Sequence, residues 1–290
     1  MCACMFAFTF NDALMKVSFG SIPIFQSIFV RGLFCLGLII LFACTQDNVF
    51  KKLSRRDSTI IGFRSGFEAI AAMTFLFAIQ KMPLANALSI LQSVPLAVCM
   101  AGAIFLGERV GWRRWIAIVL GFGGVLVIID PSSSDFNLYT FLVLITVIFA
   151  SARDVLTRSL SADVPSLLVA ILTAIPTCAV AGFLTLFLGW KEAPTSDYVI
   201  LIEASLLISF GYLFSVMAMR QGEISFVSPF RFTAMIWAIG FGFLFFGELP
   251  NLQTYFGTLL VISTGITGHH QTPNSRRAPV PPTAVTAGSR

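Results

Sequence analysis

The chain has 290 residues, of which 57% are hydrophobic and only 11% are charged, and its formal net charge is +5. Soluble domains are typically about 45–50% apolar and about 25% charged, so this composition excludes an ordinary soluble enzyme or binding domain. It predicts an integral membrane protein, in which the unit to count is an apolar segment of about 20 residues that crosses a hydrocarbon core of about 30 Å.

Ten apolar segments of this kind follow one another along the chain. Helices are expected because lipid offers no hydrogen-bond partner to an open backbone, and because the segments lack the alternating pattern of a membrane β-barrel. The loops between them are too short for an extramembrane domain. The predicted segments, numbered 1 to 10, run approximately from 1 to 19, 23 to 44, 60 to 80, 84 to 106, 114 to 130, 138 to 158, 164 to 189, 197 to 219, 223 to 247 and 251 to 270.

Segment 1 is short and contains Asp12 and Lys16, so it lacks the uninterrupted apolar region of a cleaved signal peptide. No convincing small-residue cleavage site follows it. We therefore expect segment 1 to be retained as the first transmembrane helix.

Lysine and arginine are distributed unevenly between alternate loops. The loops after segments 2 and 4 carry KKLSRR and ERVGWRR, whereas the loops of the opposite side carry few basic residues. By the positive-inside rule, both termini are predicted to be cytoplasmic, in a bacterial inner membrane. Because the net positive charge follows this topology, no nucleic-acid partner is expected. The expected partners are the lipid bilayer and a small-molecule substrate, and a homodimer stays open.

The sequence repeats itself at an offset of about 140 residues. FLGE at 105–108 recurs as FFGE at 245–248, and NDALMK at 11–16 aligns with RDVLTR at 153–158. Each half holds five segments, and since five is odd, the second half enters the membrane from the opposite side. The sequence therefore predicts an all-α membrane protein built from two inverted five-helix repeats.

The domain boundaries follow from this repeat. The first five-helix repeat is expected at residues 1–131 and the second at residues 138–270. Residues 271–290 are polar and Pro-rich, which predicts a disordered cytoplasmic tail.

A Gly-Glu pair ends the fourth segment of each half, at Gly107 and Glu108 and at Gly247 and Glu248, and a Gly-rich segment follows the first pair. This pattern resembles the EamA type of the drug/metabolite transporter superfamily over nearly the whole chain. SPFRFTAMIWAIGFGFLFFGE is similar to a bacterial subgroup that includes S-adenosylmethionine uptake carriers. The resemblance implies a ten-helix carrier of a small polar organic metabolite, such as S-adenosylmethionine, an amino acid or a related solute. Its central cavity would be lined mainly by segments 1, 3, 4, 6, 8 and 9.

Ionisable residues inside membrane spans are costly, by about 2.5–3.5 kcal/mol each on insertion scales, and they tend to face a bundle interior or a water-filled path. In this chain they are Asp12, Arg31, Arg64, Glu68, Arg153, Asp154, Glu203 and Arg231. Arg64 and Glu68 lie four residues apart on one helix face, where they can form a structural pair. For Arg31, a structural ion pair with Asp12 and a functional role both stay open.

Arg231 is the strongest candidate for binding a substrate. It lies two residues after Pro229, which would kink the helix and free a backbone carbonyl, and it shares a face with Ser225 and Ser228. Segment 4 offers further polar residues, for which hydrogen bonding between helices is the alternative role. The candidate substrate-binding residues are Arg231, Ser228, Ser225, Asn86, Ser89, Gln92 and Arg31.

Three acids are candidates for coupling or gating: Asp12, Asp154 and Glu68. Asp12 and Asp154 occupy equivalent places in the two halves, each with a basic residue four positions on, Lys16 and Arg158. The alternative for these two acids is an ion pair within one helix, at the i, i+4 spacing.

The sequence carries no enzyme motif that fits its context. HExxH and GxSxG are absent, no CxxC pair exists, and GFGG at 121–124 lies in an apolar run, where small residues serve close helix packing. We expect no enzymatic activity, no cofactor and no metal, and the lack of a Walker A motif excludes direct powering by ATP. The predicted function is a secondary-active or facilitative carrier that works by alternating access. A non-transporting receptor or scaffold and, less favoured, an intramembrane enzyme are the alternatives.

Overall fold

In the computed structural model, every regular element among the described residues is a helix. The structure describes residues 1–46, 49–105, 107, 111–130, 137–161, 163–221 and 228–270, and at 213, 215–221, 228, 229 and 267–270 it describes the backbone alone. Ser225, Glu108 and the predicted tail therefore lie outside the described residues, as does the side chain of Ser228.

The helices confirm the predicted all-α fold of ten segments, with segments 4 and 9 each in two parts. They are α1 Cys2–Ser18, α2 Ile24–Cys44, α3 Arg55–Ile79, α4 Leu84–Leu91, α5 Val94–Phe105, α6 Trp112–Ile129, α7 Leu138–Arg158, α8 Ser166–Leu188, α9 Thr195–Gln221, a 3₁₀ helix Ser228–Phe232, α10 Thr233–Phe246 and α11 Leu252–His270.

Six spans in the described part of the chain are long and apolar enough to cross a membrane: α2, α3, the α4–α5 pair, α6, α7 and α8. Shorter apolar helices occupy Phe230–Phe246 and Leu252–Ile266. Large apolar side chains are exposed on the outward faces, as Phe183, Leu186 and Phe187 are on α8. Such faces suit contact with lipid, because lipid solvates apolar side chains that water would not.

Local sequence explains several helix ends. Pro23, Pro83 and Pro165 immediately precede α2, α4 and α8. At the other end of segments 4 and 9, Gly107 and Gly247 both have a φ of +65°. Only glycine adopts this left-handed conformation without a steric cost, and it is a common way to end a helix. The glycine of each Gly-Glu pair is therefore required by the backbone.

Segments 4 and 9 change their helical geometry at equivalent positions. Segment 4 breaks at Gln92 and Ser93, two residues before Pro95, whose ring and missing N–H disfavour a continuous helix. In segment 9, the 3₁₀ helix ends at Phe232 and α10 begins at Thr233, which are the same two positions moved by 140 residues. Discontinuous helices at matching places in inverted repeats are a feature of carriers.

The two repeats are interleaved and do not form separate halves. α1 of the first repeat packs against α9 and α10 of the second, and α7 of the second repeat packs against α3, α4 and α5 of the first. The equivalent helices α2 and α8 also pack together, as do α6 and α11. As a result, the interior of the bundle is lined by both repeats.

Glycines allow α6 and α11 to approach closely. A Cβ on Gly124 would lie 2.9 Å from the carbonyl oxygen of Gly257, and a Cβ on Gly257 would lie 2.5 Å from the carbonyl oxygen of Gly124. The glycine-rich run at 121–124 thus lies at a helix crossing, where small residues let two backbones come together.

Candidate functional site

Six charged side chains interact with one another in the space between the repeats. They come from α1, α2, α3 and α7, and three are basic and three acidic, so that their formal charges balance. We call them the interior charge cluster, which consists of Asp12, Arg31, Arg64, Glu68, Arg153 and Asp154.

Arg153 lies at the centre of the larger part of this cluster. Its Nη1 donates to Oε2 of Glu68 on α3, and its Nε donates to Oδ1 of Asp154 over 2.9 Å. Nη2 lies 2.8 Å from the same Asp154 oxygen. Arg153 therefore joins the two repeats and holds two carboxylates at once.

The pair predicted between Arg64 and Glu68 is wrong as a direct contact, because Glu68 binds Arg153 on the neighbouring helix. Arg64 instead donates from Nε to Thr157 Oγ1 over 2.8 Å and from Nη1 to Thr173 Oγ1. The i, i+4 spacing does bring Arg64 within electrostatic range of Glu68. Their hydrogen bonds, however, are made across helices.

Arg31 and Asp12 form the smaller part of the cluster, and Asn11 lies between them. Nη1 of Arg31 donates to Asn11 Oδ1 over 3.2 Å, and Asn11 Nδ2 donates to Asp12 Oδ1 over 3.0 Å. The carbonyl oxygen of Arg31 accepts a hydrogen bond of 3.0 Å from Ser205 on α9. The expected partnership of Arg31 with Asp12 is thus mediated by a neutral amide.

The polar residues of segment 4 differ in their environment. Ser89 Oγ donates to the carbonyl oxygen of Ala85 and lies 3.2 Å from Met235 Sδ on α10. Asn86 Oδ1 accepts from Thr254 Oγ1 on α11 over 3.3 Å. Both side chains therefore connect helices. Gln92, in the break between α4 and α5, is buried, and its Nε2 has no hydrogen-bond partner among the described residues.

Arg231 lies outside the interior charge cluster. It is half-buried in the 3₁₀ helix, and no hydrogen bond or ion pair joins it to any described residue. It precedes α10, which begins only at Thr233, and residues 222–227 ahead of the 3₁₀ helix lie outside the described residues. Pro229 likewise precedes α10 and does not kink it. Glu203, also predicted to be inside, is exposed on α9.

Sequence reasoning missed the ion pair between Lys16 and Glu248. Lys16 Nζ donates to both carboxylate oxygens of Glu248, over 2.8 and 2.9 Å, and to the carbonyl oxygen of Met82 over 2.9 Å. The predicted alternative, a pair of Lys16 with Asp12, is wrong. Both partners belong to motifs that recur in the two halves, NDALMK and FFGE, so comparing the repeats could have suggested the pairing.

Two shallow surface pockets are lined by described residues, and neither lining includes a cluster residue. One of about 270 Å³ lies between α6 and α11, beside Arg113 and Thr264. The other, of about 410 Å³, lies along α3 beside Gly62 and Gly66. Within the described ranges, no three His, Cys, Asp or Glu side chains come together as metal ligands would.

The EamA-like transporter family matches residues 1–130 and, a second time, residues 137–266. The chain belongs to the EamA-like transporter family. It is an integral membrane transporter made of two repeats, as the internal sequence repeat predicts.

Several relatives of this transporter are named by what they carry. It is 25% identical over 269 residues to the pseudopaline exporter CntI of Pseudomonas aeruginosa, covering 89% of this chain and 90% of that one. It is 28% identical to a riboflavin transporter of Vibrio cholerae (68% and 66% covered) and 23% identical to an S-adenosylmethionine uptake transporter of Rickettsia conorii (88% and 85%). The named substrates and directions differ, so membership of the family does not decide the substrate.

One solved crystal structure superimposes on this transporter with a TM-score of 0.63 at 16% identity, and covers 92% of this chain and 95% of its own. At this identity the likeness shows the fold alone.

Proposed function

We propose that this transporter moves a small polar organic metabolite between its two repeats by alternating access, as a secondary-active or facilitative carrier. The observation that supports the proposal most is the interior charge cluster. Taking an ion pair out of water costs about as much as the pairing returns, so apolar side chains would stabilise the bundle equally well. Six charged side chains are better explained by a polar solute that passes them.

The packing of the two repeats against each other provides a structural basis for alternating access. Arg153 of the second repeat binds Glu68 of the first, and α1 packs against helices of the other repeat. Rocking of one repeat against the other would therefore change the surroundings of the cluster directly. The change of helical geometry at equivalent places in segments 4 and 9 would give each repeat a point at which a helix can bend.

We propose the membrane and the orientation of the protein in it from the charges of its loops. Basic residues in the loops after segments 2 and 4 favour a bacterial inner membrane with both termini in the cytoplasm. We expect no catalytic activity, because the relatives transport their solutes and the sequence lacks an enzyme motif. Arg231, Ser225 and Ser228 stay candidates for binding the substrate.

Counterflow in proteoliposomes tests this proposal. Liposomes with the purified protein are preloaded with one metabolite, and entry of the labelled metabolite is followed for a panel that includes S-adenosylmethionine, riboflavin and amino acids. We expect exchange of at least one compound. Glu68→Gln should lower its initial rate by about tenfold or more, because a charge-assisted contact in the pathway is lost.

Arg113→Gln is the matched control, since Arg113 is exposed on α6 and away from the cluster. It should exchange at the rate of the unaltered protein. If the folded protein exchanged no compound of the panel, the proposed carrier function would be contradicted. If Glu68→Gln left the exchange rate unchanged, the proposed role of the interior charge cluster would be contradicted.

A further inference from the structure

Helix α8 contains a proline, Pro176, in its interior. Such a proline removes the hydrogen bond to the carbonyl group four residues earlier, which in α8 belongs to Leu172, and its ring crowds that carbonyl. The Leu172 oxygen instead accepts a hydrogen bond of 3.2 Å from Ser65 Oγ on α3, and Ser65 is only 2% exposed. A buried side chain of the first repeat therefore supplies the donor that the proline of the second repeat lacks.

The residue beside Ser65 holds the next position of α8. Arg64 donates from Nη1 to Thr173 Oγ1 and, over 2.8 Å, from Nε to Thr157 Oγ1 on α7. Arg64 is also a member of the interior charge cluster. We call residues 166–175, which precede Pro176, the first half of α8. If the first half of α8 moved away from α3, Arg64 would lose its contact with Thr173 and the cluster would change directly.

The two halves of α8 pack in different hydrophobic cores. Leu168 and Ile171, in the first half, belong to a small core that is separate from the main one. The other buried members of the small core lie on α2 and shortly after it: Cys35, Ile39, Ala43 and Val49. In the second half, Ala181 belongs to the main core, and a Cβ on Gly182 would lie 2.7 Å from an aromatic ring of α2. The first half can therefore move with little disturbance of the main core, whereas the second half is held against α2.

Polar contacts with α3 also hold the residues that lead into α8. Ser161 donates to Asp57 Oδ1 from its backbone N–H over 3.2 Å and from its Oγ over 3.0 Å. Asp57 lies in the first turn of α3, which the proposed topology places on the cytoplasmic side. Hydrogen bonds of this type exchange for bonds to water at a small net cost when two elements separate. The contacts between α3 and the first half of α8 are therefore of a kind that can open and close.

The first repeat lacks a counterpart of this proline. The equivalent helices α2 and α8 begin immediately after Pro23 and Pro165. Counted from these two prolines, the residue of α2 that corresponds to Pro176 is Phe34. The bend is thus available in the second repeat, where the first half of the helix lies toward the cytoplasm in the proposed topology.

We propose that the first half of α8 is a gate at the cytoplasmic end of the transport pathway. It turns about Pro176, and Ser65 and Arg64 hold it in the observed position against α3. A proline suits this task because the hydrogen bond that it lacks does not have to be broken when the helix bends. The inference rests on the proposed function and on the orientation proposed with it.

Distances between spin labels, measured by pulsed electron spin resonance, test this movement without any substrate. In a background without native cysteine, the labels are placed at Thr59→Cys on α3 and Ser166→Cys on α8, which are both exposed. We expect two distances, of which Pro176→Ala should remove the longer, because the helix regains its missing bond. A single distance in the unaltered protein, or two distances that Pro176→Ala leaves unchanged, would overturn the gate.

A second pair of labels is the control. Leu33→Cys on α2 and Phe183→Cys in the second half of α8 are exposed and should give one distance, with or without Pro176→Ala. Two distances for this pair as well would mean that α8 moves as a whole, which would overturn the hinge at Pro176.

Ser65→Ala separates a latch from an ordinary hydrogen bond. It should increase the population with the longer distance by about threefold or more, because the Leu172 oxygen loses its donor in the closed position. In a protein that carries Pro176→Ala, Ser65→Ala should have no further effect, since the helix then supplies the donor itself. If Ser65→Ala shifted both proteins equally, or neither, Ser65 would not hold the gate.

The counterflow assay gives the readout in transport. Pro176→Ala should lower the initial rate by about tenfold or more and leave the half-saturating concentration unchanged, because the movement is slowed and the substrate contacts are intact. Its unfolding temperature should not fall, since alanine favours a helix more than proline does. A lower rate together with a lower unfolding temperature would indicate a structural role of Pro176 and overturn the gate.

Failure of the gate and failure of the carrier give different results. If Pro176→Ala exchanged its substrate at the unaltered rate, the gate would be rejected and the proposed function would stand. If the protein exchanged no compound but Pro176→Ala still removed the longer distance, the hinged movement would stand and the proposed function would be contradicted.

Discussion

Lys16 and Glu248, 232 positions apart, form a salt bridge of 2.8 Å that joins the first helix of one repeat to the end of the fourth segment of the other. The Lys16 side chain is 9% exposed, and its Nζ lies 4.6 Å from the centre of the Phe246 ring. Glu248 also accepts from the backbone N–H of Leu84, over 3.3 Å. One end of the bundle is therefore held by contacts among α1, α4 and α10 with the turns beside them.

This salt bridge predicts an asymmetric effect of substitution. Lys16→Met leaves Glu248 with the Leu84 N–H as its remaining described partner, and should destabilise the folded protein by about 1–3 kcal/mol. Lys16→Met with Glu248→Leu should be less destabilising, because no carboxylate is left unpaired. Thermal unfolding in detergent measures both. Glu248→Leu alone completes the comparison. If the double variant lost as much stability as Lys16→Met and Glu248→Leu lose together when measured separately, the two residues would act independently.

Arg153 should be more sensitive to substitution than its neighbours in the cluster. Arg153→Gln leaves both Glu68 and Asp154, whose side chains are 17% and 28% exposed, without their guanidinium, and should destabilise the folded protein by about 1–3 kcal/mol. We expect little folded protein in the membrane. Adding Glu68→Gln should restore part of it, and Arg113→Gln should have no effect. The measurement is the amount of monodisperse protein after detergent extraction, and failure of the rescue would mean that Glu68 is not the acid left unpaired.

The proposed topology predicts which loops an impermeant thiol reagent reaches in intact cells. In a background without native cysteine, Lys52→Cys after segment 2 should be shielded, and Ser196→Cys at the start of α9 should label. Both positions are exposed, so access to the reagent depends on the side of the membrane. Labelling at Lys52→Cys but not at Ser196→Cys would reverse the orientation inferred from the positive-inside rule.

The segments and their repeat could be predicted from the sequence because hydropathy and self-similarity are local properties. The partners of the charged side chains could not. Spacing within one helix pointed to Arg64 with Glu68 and to Lys16 with Asp12, whereas packing across the repeats gives Glu68 to Arg153 and Lys16 to Glu248. A rule for neighbours on one helix carries no information about the helix that faces it.

The broken segments show the same limit. Pro95 indicates the break in segment 4, where a proline disrupts the helix at the residues before it. At the equivalent place in segment 9 the residue is Met235, and the change from the 3₁₀ helix to α10 falls at Phe232 and Thr233. Pro229 lies ahead of α10, so the break in segment 9 had no matching proline by which to recognise it.

The crossing of α6 and α11 predicts an order of effects for three alanine substitutions. A Cβ on Gly257 would lie 2.5 Å from the Gly124 carbonyl oxygen and 3.1 Å from the Ile128 backbone nitrogen, whereas a Cβ on Gly124 would lie 2.9 Å from the Gly257 carbonyl oxygen. Backbone atoms cannot move aside as a flexible side chain can, so Gly257→Ala should cost about 1–3 kcal/mol and Gly124→Ala less.

Gly123 is the matched control, because it neighbours Gly124 on the same helix and nothing lies within 4 Å of its added Cβ. Gly123→Ala should therefore leave the unfolding temperature unchanged or raise it slightly, since alanine favours a helix more than glycine does. If Gly123→Ala destabilised the protein as much as Gly257→Ala, the loss would reflect the replacement of a helical glycine in general and not the close approach of the two helices. If all three variants unfolded at the same temperature, α6 and α11 would not need to be this close in the folded transporter.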